Sequence, residues 1–348
     1  MKLNTDINNN DNDNNNENKN EDKNGNKPEK IDFTGCIFFS KYKVVKKITE
    51  GSFSQIYQII NENGEYFCCK IEPKNSPQPL LDHESKVMNY LFGTKIPGIK
   101  LYGESGDYNI LIMELLGKSL DYYIEKIERF SVKTTAMLAY QIIDILEYIH
   151  TRHIIHRDIK PGNFVMGLGK NNLDLYMIDF GFAKKYRSNK TFKISPMTKG
   201  HKLTGTARYA SINAMKGYEQ SPRDDLESLA YLLIFFLKGA LPWQGIKEKN
   251  KDNLYKRILD SKIKIKIEEI GRDLPAPFCE FLEYSKNLKY EEQPDYNLFK
   301  KKMKQIICIN NDESEFDKIY DWTNKQKVLK DKGEKETDKV ESTCCRIF

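Results

Sequence analysis

Two short stretches of the chain hold side chains that could do chemistry together: His156-Arg-Asp-Ile-Lys-Pro-Gly-Asn163, and Asp179-Phe-Gly181 after an apolar run over residues 173–178. Moving a phosphoryl group from a nucleotide to a hydroxyl requires a carboxylate to take up the hydroxyl proton. It also requires cations against the phosphate oxygens and hard oxygen ligands for magnesium. Asp158 is the candidate base. Lys160 is a point charge for the transferred phosphate, of the type expected when the acceptor is serine or threonine. Asn163 and Asp179 are the candidate magnesium ligands. The two motifs in this order predict phosphoryl transfer with ATP and Mg2+ as cofactors.

Upstream, Lys70 on an expected strand and Glu84 on the expected helix after it match the pair that positions the α- and β-phosphates of a nucleotide. Strand side chains alternate, so Cys68 should share the cleft side with Lys70 and line the adenine pocket. The same alternation argues against a joint metal or redox role for Cys68 and Cys69, which face opposite ways. The segment Ile48-Thr-Glu-Gly-Ser-Phe-Ser-Gln-Ile56 keeps only Gly51 of the three glycines of a phosphate loop, with Thr49 and Ser54 at the others. A β-branched Thr49 predicts weaker ATP binding.

These groups need a scaffold. Residues 42–48, 54–60 and 66–72 read as strands, with Asn61-Glu-Asn-Gly64 as a hairpin turn. A helix follows in which Leu80, Glu84, Met88 and Leu91 share a face, then strands over 99–103 and 108–114. That is a small lobe of five strands and one helix. Beyond residue 118 the period becomes helical, with Leu138, Ile142, Ile145, Leu146 and Ile149 on one stripe. A loop-dense stretch covers 151–223, and an apolar helix covers 226–237. The expected fold class is therefore α+β and bilobal, with a small antiparallel β lobe carrying one helix and a larger α-rich lobe. The divisions expected are an Asn-rich, disordered arm over 1–37, a catalytic domain over 38–322 and a flexible tail over 323–348.

Leu203-Thr-Gly-Thr-Ala-Arg-Tyr-Ala-Ser-Ile-Asn213, Glu219-Gln-Ser-Pro-Arg-Asp-Asp-Leu-Glu-Ser-Leu229 and Leu241-Pro-Trp-Gln-Gly245 closely resemble the casein kinase I family of serine/threonine protein kinases, over about residues 38–322. Most specific is Ser211-Ile-Asn213, which stands where most kinases carry Ala-Pro-Glu. The resemblance implies a protein kinase fold with Met113 as gatekeeper and Glu114 to Leu116 as the hinge meeting adenine. It places Ile48, Ile56 and Val165 around the base, and Asp225 beneath the catalytic loop. It implies acidic or already phosphorylated protein substrates and no need for an activating phosphorylation. Arg208 and Gly245 match two positions of the family's anion site. The third, usually lysine, is Leu254 here, which predicts weaker phosphate priming unless Lys247, Lys249 or Lys251 compensates.

Composition narrows the surroundings. A net charge of +6, from 56 basic and 50 acidic residues, is too mild for a dedicated nucleic-acid binder. Seven cysteines at irregular spacing read as reduced thiols of an intracellular protein, and the expectation is a cytoplasmic monomer. The first residues lack the layout of a signal peptide, and the longest apolar run, 229–237, is too short to cross a bilayer. Cys344-Cys-Arg-Ile-Phe348 reads as a prenylation box on Cys345 with Cys344 open to palmitoylation, which implies tethering to the cytoplasmic face of a membrane. The alternative function is a pseudokinase scaffold, motivated by Thr49 and Ser54. Against it, Lys70, Glu84, Asp158, Asn163 and Asp179 are all retained.

Overall fold

Six antiparallel strands curl over a single helix in the small lobe of the computed structural model, which describes residues 31–51, 53–93, 95–308 and 317–323. The arm over 1–30 and the tail beyond 323, with Cys344 and Cys345, lie outside the described residues. The chain divides into units Met1–Phe33 and Thr34–Phe348, and the architecture below is that of the second.

The strands are β1 (Ile37–Phe38), β2 (Tyr42–Glu50), β3 (Gln55–Ile60), β4 (Tyr66–Pro73), β5 (Ile99–Ser105) and β6 (Tyr108–Glu114), in the order β1-β2-β3-β4-β6-β5. Their β-branched and aromatic residues bury one flank together with Cys69: Tyr57, Ile59, Ile71 and Ile112 are, like it, sealed from solvent. The reading from sequence had five strands. The sixth, β1, pairs Ile37 with Lys43 and Phe38 with Tyr42, and two residues are too few to show a period-two pattern. The expected boundary between residues 37 and 38 cuts through this strand. Ordered pairing begins earlier still, since Gly35 N–H donates to Val44 O at 2.9 Å and Val44 N–H to Cys36 O at 2.8 Å.

Helix α1 (Leu81–Tyr90) follows β4, and Glu84, Met88 and Leu91 are buried as its periodicity requires. Leu80 precedes the first turn with no side-chain cap of its own. The buried Glu72 carboxylate substitutes, accepting from Leu80 N–H at 2.9 Å and Leu81 N–H at 3.2 Å.

The large lobe is built on α2 (Leu120–Ile127), α3 (Val132–Thr151) and the apolar helix α4 (Pro222–Lys238). The last starts ahead of the apolar run that announced it, because Ser221 is its N-cap, Pro222 opens its first turn and the Asp224 carboxylate accepts from Ser221 N–H at 2.8 Å. Between α3 and α4 lie short ladders, β7 (Ile154–Ile155) with β10 (Lys184–Lys185) and β8 (Phe164–Met166) with β9 (Leu175–Met177). A single-turn helix, Ile212–Met215, precedes α4, and α5 (Lys251–Lys264), α6 (Ala276–Asn287) and α7 (Tyr296–Ile307) follow it. The segment 317–323 closes the lobe. Trp322 is stacked between Tyr123 at 4.1 Å and Tyr320 at 4.7 Å, while Asp321 accepts from Ser131 N–H at 2.7 Å at the start of α3.

Candidate active site

Strand register places the predicted nucleotide residues on one face of the small-lobe sheet. Ile56 stands opposite Lys70, Lys70 opposite Leu111, and Cys68 opposite Met113. Thr49 pairs with Ile56, and Ile48 occupies a bulge between Lys47 and Thr49. Gly51 N–H donates to Ser54 O at 2.8 Å, closing the tip of the hairpin. A Cβ on Gly51 would meet nothing nearer than 3.8 Å and its φ is not positive, so chain packing does not demand the glycine. The open space above it suits the close approach of a phosphate. Cys68 is a poor nucleophile here, because burial pushes its thiol up to about 12 against the pull of Lys70.

The Lys70 ammonium lies 2.6 Å from Glu84 Oε2 and 2.9 Å from Asp179 Oδ1, which joins β4, α1 and the large lobe through one cation. Burial alone would lower Lys70, but Asp179 and Glu84 hold it well above the ordinary lysine range. Burial raises Glu84, opposed by Lys70. Asp179 takes a left-handed conformation, φ 65°, that turns its side chain back toward the cleft. Its side chain keeps 36% of its surface open, so water screens part of the field. Burial would still raise it, but Lys70 and Lys160 outweigh that and hold it at about 2.

The second half of the site is one short loop. Arg157 is left-handed at φ 68°, and the buried Asp225 pins the backbone on both sides of it. Asp225 Oδ2 accepts from His156 N–H at 2.8 Å and Oδ1 from Arg157 N–H at 2.9 Å, while His150 Nε2 contacts Oδ2 at 2.9 Å. Burial would raise the Asp225 carboxyl, but His150 and His156 bring it below the ordinary range.

Asp158, next along, is 3% exposed. Its Oδ2 meets Lys160 Nζ at 2.8 Å and Asn163 Nδ2 at 3.3 Å, and its Oδ1 accepts from Thr206 Oγ1 at 2.8 Å. Asn163 Nδ2 also donates to Asp158 O at 2.8 Å, which leaves its Oδ1 as a free hard oxygen. That oxygen and the second oxygen of Asp179 form a donor set that fits magnesium.

Between the lobes, Glu114 N–H donates to Gly98 O at 2.9 Å and Gly117 N–H to Met166 O at 2.7 Å. Leu116 lies between them, half-buried, and Val165 is buried on β8 on the large-lobe side. Arg208 O accepts at 2.7 Å from Nε1–H of Trp243, two residues before Gly245 in the chain. Leu254 packs against the core on α5, so no cation stands at its position, while Lys247, Lys249 and Lys251 are exposed nearby in sequence.

Thr206 and Gly205 belong to the site although only their motif, not their role, was legible. A Cβ on Gly205, at φ +88°, would meet Arg157 O at 2.3 Å and Asp158 Oδ1 at 3.1 Å, so a side chain there would displace the candidate base. The signal was the Thr-Gly-Thr run itself, whose glycine marks a close backbone approach. Residues 42–315 match the family model described as Protein kinase domain.

Proposed function

The chain belongs to the protein kinase family, and on that footing we propose that it transfers the γ-phosphoryl group of ATP to serine and threonine hydroxyls of acidic proteins, as a casein kinase I-type enzyme. The observation that carries the reading is the convergence of Asp158, Lys160, Asn163 and the Lys70–Glu84–Asp179 chain of ion pairs in one cleft.

Asp158 is buried but flanked by donors on both oxygens, so its carboxylate is fixed in direction and receives the hydroxyl proton as the oxygen attacks. The new bond forms between that oxygen and the γ-phosphorus, and the bond from the γ-phosphorus to the bridging oxygen of ADP breaks. Lys160 stays charged, because Asp158 outweighs the burial that would lower it, and faces the phosphoryl oxygens. Lys70 binds and orients the remaining phosphates. Asn163 and Asp179 would hold magnesium, which would supply charge neutralisation.

Support for the casein kinase I type comes from Ser211. Its hydroxyl caps the single-turn helix by accepting from Ala214 N–H at 3.0 Å and donates to Asp224 Oδ1 at 2.5 Å. The serine of Ser211-Ile-Asn213 thus has a structural task that the usual Ala-Pro-Glu could not perform. Arg208 and the exposed lysines over 247–251 favour acidic substrates, and the apolar Leu254 weakens dependence on a phosphate already placed on the substrate.

The test is phosphate transfer from ATP and magnesium to casein by the wild type and by Asp158→Asn purified identically. Loss of at least 100-fold in the variant, on the order expected for removing a general base, is the expected result. Absence of transfer by a folded wild type would refute the proposal.

A further inference from the structure

Lys262, on α5, is 0% exposed and takes no part in the chemistry above. Its Nζ donates to Ala207 O at 2.9 Å and to Ala210 O at 2.5 Å, and it lies over the rings of Tyr231 at 4.7 Å and Trp243 at 4.8 Å. Burial pulls the Lys262 amine down to about 7 against the opposing pull of Glu227, while two carbonyl oxygens and two aromatic faces satisfy its donors.

The segment it holds is the one beside the candidate base. Trp243 takes the carbonyl of Arg208 between the two that Lys262 takes. Tyr209 and Ala210 N–H both donate to Thr206 O at 3.0 Å. Glu227 Oε1 accepts from Ile212 N–H at 3.0 Å and from Tyr231 OH at 2.8 Å, so the platform under Lys262 is itself tied to the next turn of the same segment. At the other end Thr206 reaches Asp158. Residues 206–212 therefore hang between the catalytic carboxylate and a buried lysine, with Arg208 within the span.

We propose that Lys262 is a positioning residue for the protein acceptor: it fixes the segment 206–212 on which the substrate chain rests, acting through the carbonyls of Ala207 and Ala210. The proposal rests on the transferase reading above. It differs from a general stabilising role in one measurable respect. The nucleotide groups Lys70, Glu84 and Asp179 bond to one another and not to this segment, so ATP binding should not notice the change.

The experiment measures steady-state kinetics of the full chain with an acidic serine peptide, for wild type, Lys262→Met and Lys262→Arg, with circular-dichroism melts of each. Methionine keeps the length and loses the donors. Arginine keeps the charge but presents a planar fork that cannot reproduce the two-carbonyl contact. Losing the donors to two buried carbonyls is expected to raise the peptide KM about tenfold in Lys262→Met, with the ATP KM within twofold of wild type. A rise above about threefold in peptide KM alone, in either variant that folds, supports the assignment. A peptide KM within threefold of wild type in every variant that folds, or a matching rise in ATP KM, overturns it. Failure of both variants to fold would also overturn it, because Lys262 would then serve the fold and not the acceptor. If the wild type itself transfers no phosphate, the transferase reading fails and this assignment falls with it, an outcome distinct from an active wild type whose variants leave the peptide KM unchanged.

Discussion

Replacing Asp225 by asparagine should damage the catalytic loop without touching any residue that meets substrate. If the asparagine carbonyl takes the place of Oδ2, the contacts to His156 N–H and His150 survive, but as neutral hydrogen bonds in place of charge-assisted ones. The amide group then points donor against donor at Arg157 N–H, leaving a buried N–H without an acceptor at a cost of about 1–3 kcal/mol. Weakening the other two bonds adds about 1–2 kcal/mol, and the left-handed Arg157 loses the contact that holds it there. A total of about 2–5 kcal/mol is a large share of a typical 5–15 kcal/mol stability, and lowers Tm by roughly 4–20 °C for a domain of this size. Asp158 follows Arg157 directly, so kcat should fall about 10–100-fold, as for other misplaced catalytic groups, while the ATP KM changes little. Thermal melts and casein phosphorylation measure the two effects. The carboxyl is depressed in the fold, so its contribution is complete above its ordinary 3.8 and fades as pH falls through the lower folded value. The gap in stability between wild type and Asp225→Asn should therefore be flat near neutrality and close only in acid. A Tm within about 2 °C of wild type, on the scale of 2–4 °C per kcal/mol, would refute the reasoning.

Thr206→Val removes the hydroxyl that donates to Asp158 Oδ1 while keeping the shape of the side chain. The kcat should fall about tenfold, the worth of a hydrogen bond to a charged group, with the ATP KM nearly unchanged; a kcat equal to wild type would show that Lys160 and Asn163 suffice to orient the base. Asp179 is held at about 2, below its ordinary 3.8, so the stability it gains from Lys70 is fully present above 3.8 and is lost as pH falls through about 2. Acid unfolding of wild type against Asp179→Asn, followed by tryptophan fluorescence, should show a difference that persists at pH 5 and vanishes near pH 2. A difference that disappeared by pH 5 would place the Asp179 pKa far higher.

Much of the site was legible because its parts are short motifs in which chemistry dictates residue identity. Asp158, Lys160 and Asn163 sit in one loop, and Lys70 needed only the alternation of a strand to be aimed at the cleft. Asp225 came from the family resemblance, since nothing in a run of charged residues says which carboxylate turns inward. Lys262 was not legible at all. Helix α5 also carries Lys251, Lys256 and Lys264, and only the tertiary position of Ala207, Ala210, Tyr231 and Trp243 distinguishes the buried lysine from the solvated ones.

The phosphate loop shows why a degraded motif need not mean a degraded element. Three glycines are one way to let a nucleotide approach a hairpin, but the hairpin itself needs only its strands and its turn. Thr49 fits because it lies within the ladder, paired with Ile56, where a β-branched residue is favoured. The turn closes through Gly51 N–H and Ser54 O, which are backbone groups that any residue at position 54 supplies. What Thr49 changes is the surface above the ladder, since it stands on the same face as Ile56 and Lys70. Its consequence therefore belongs to nucleotide affinity and not to the fold, while the ion pairs of Lys70 that define the phosphate end of the cleft form independently of it.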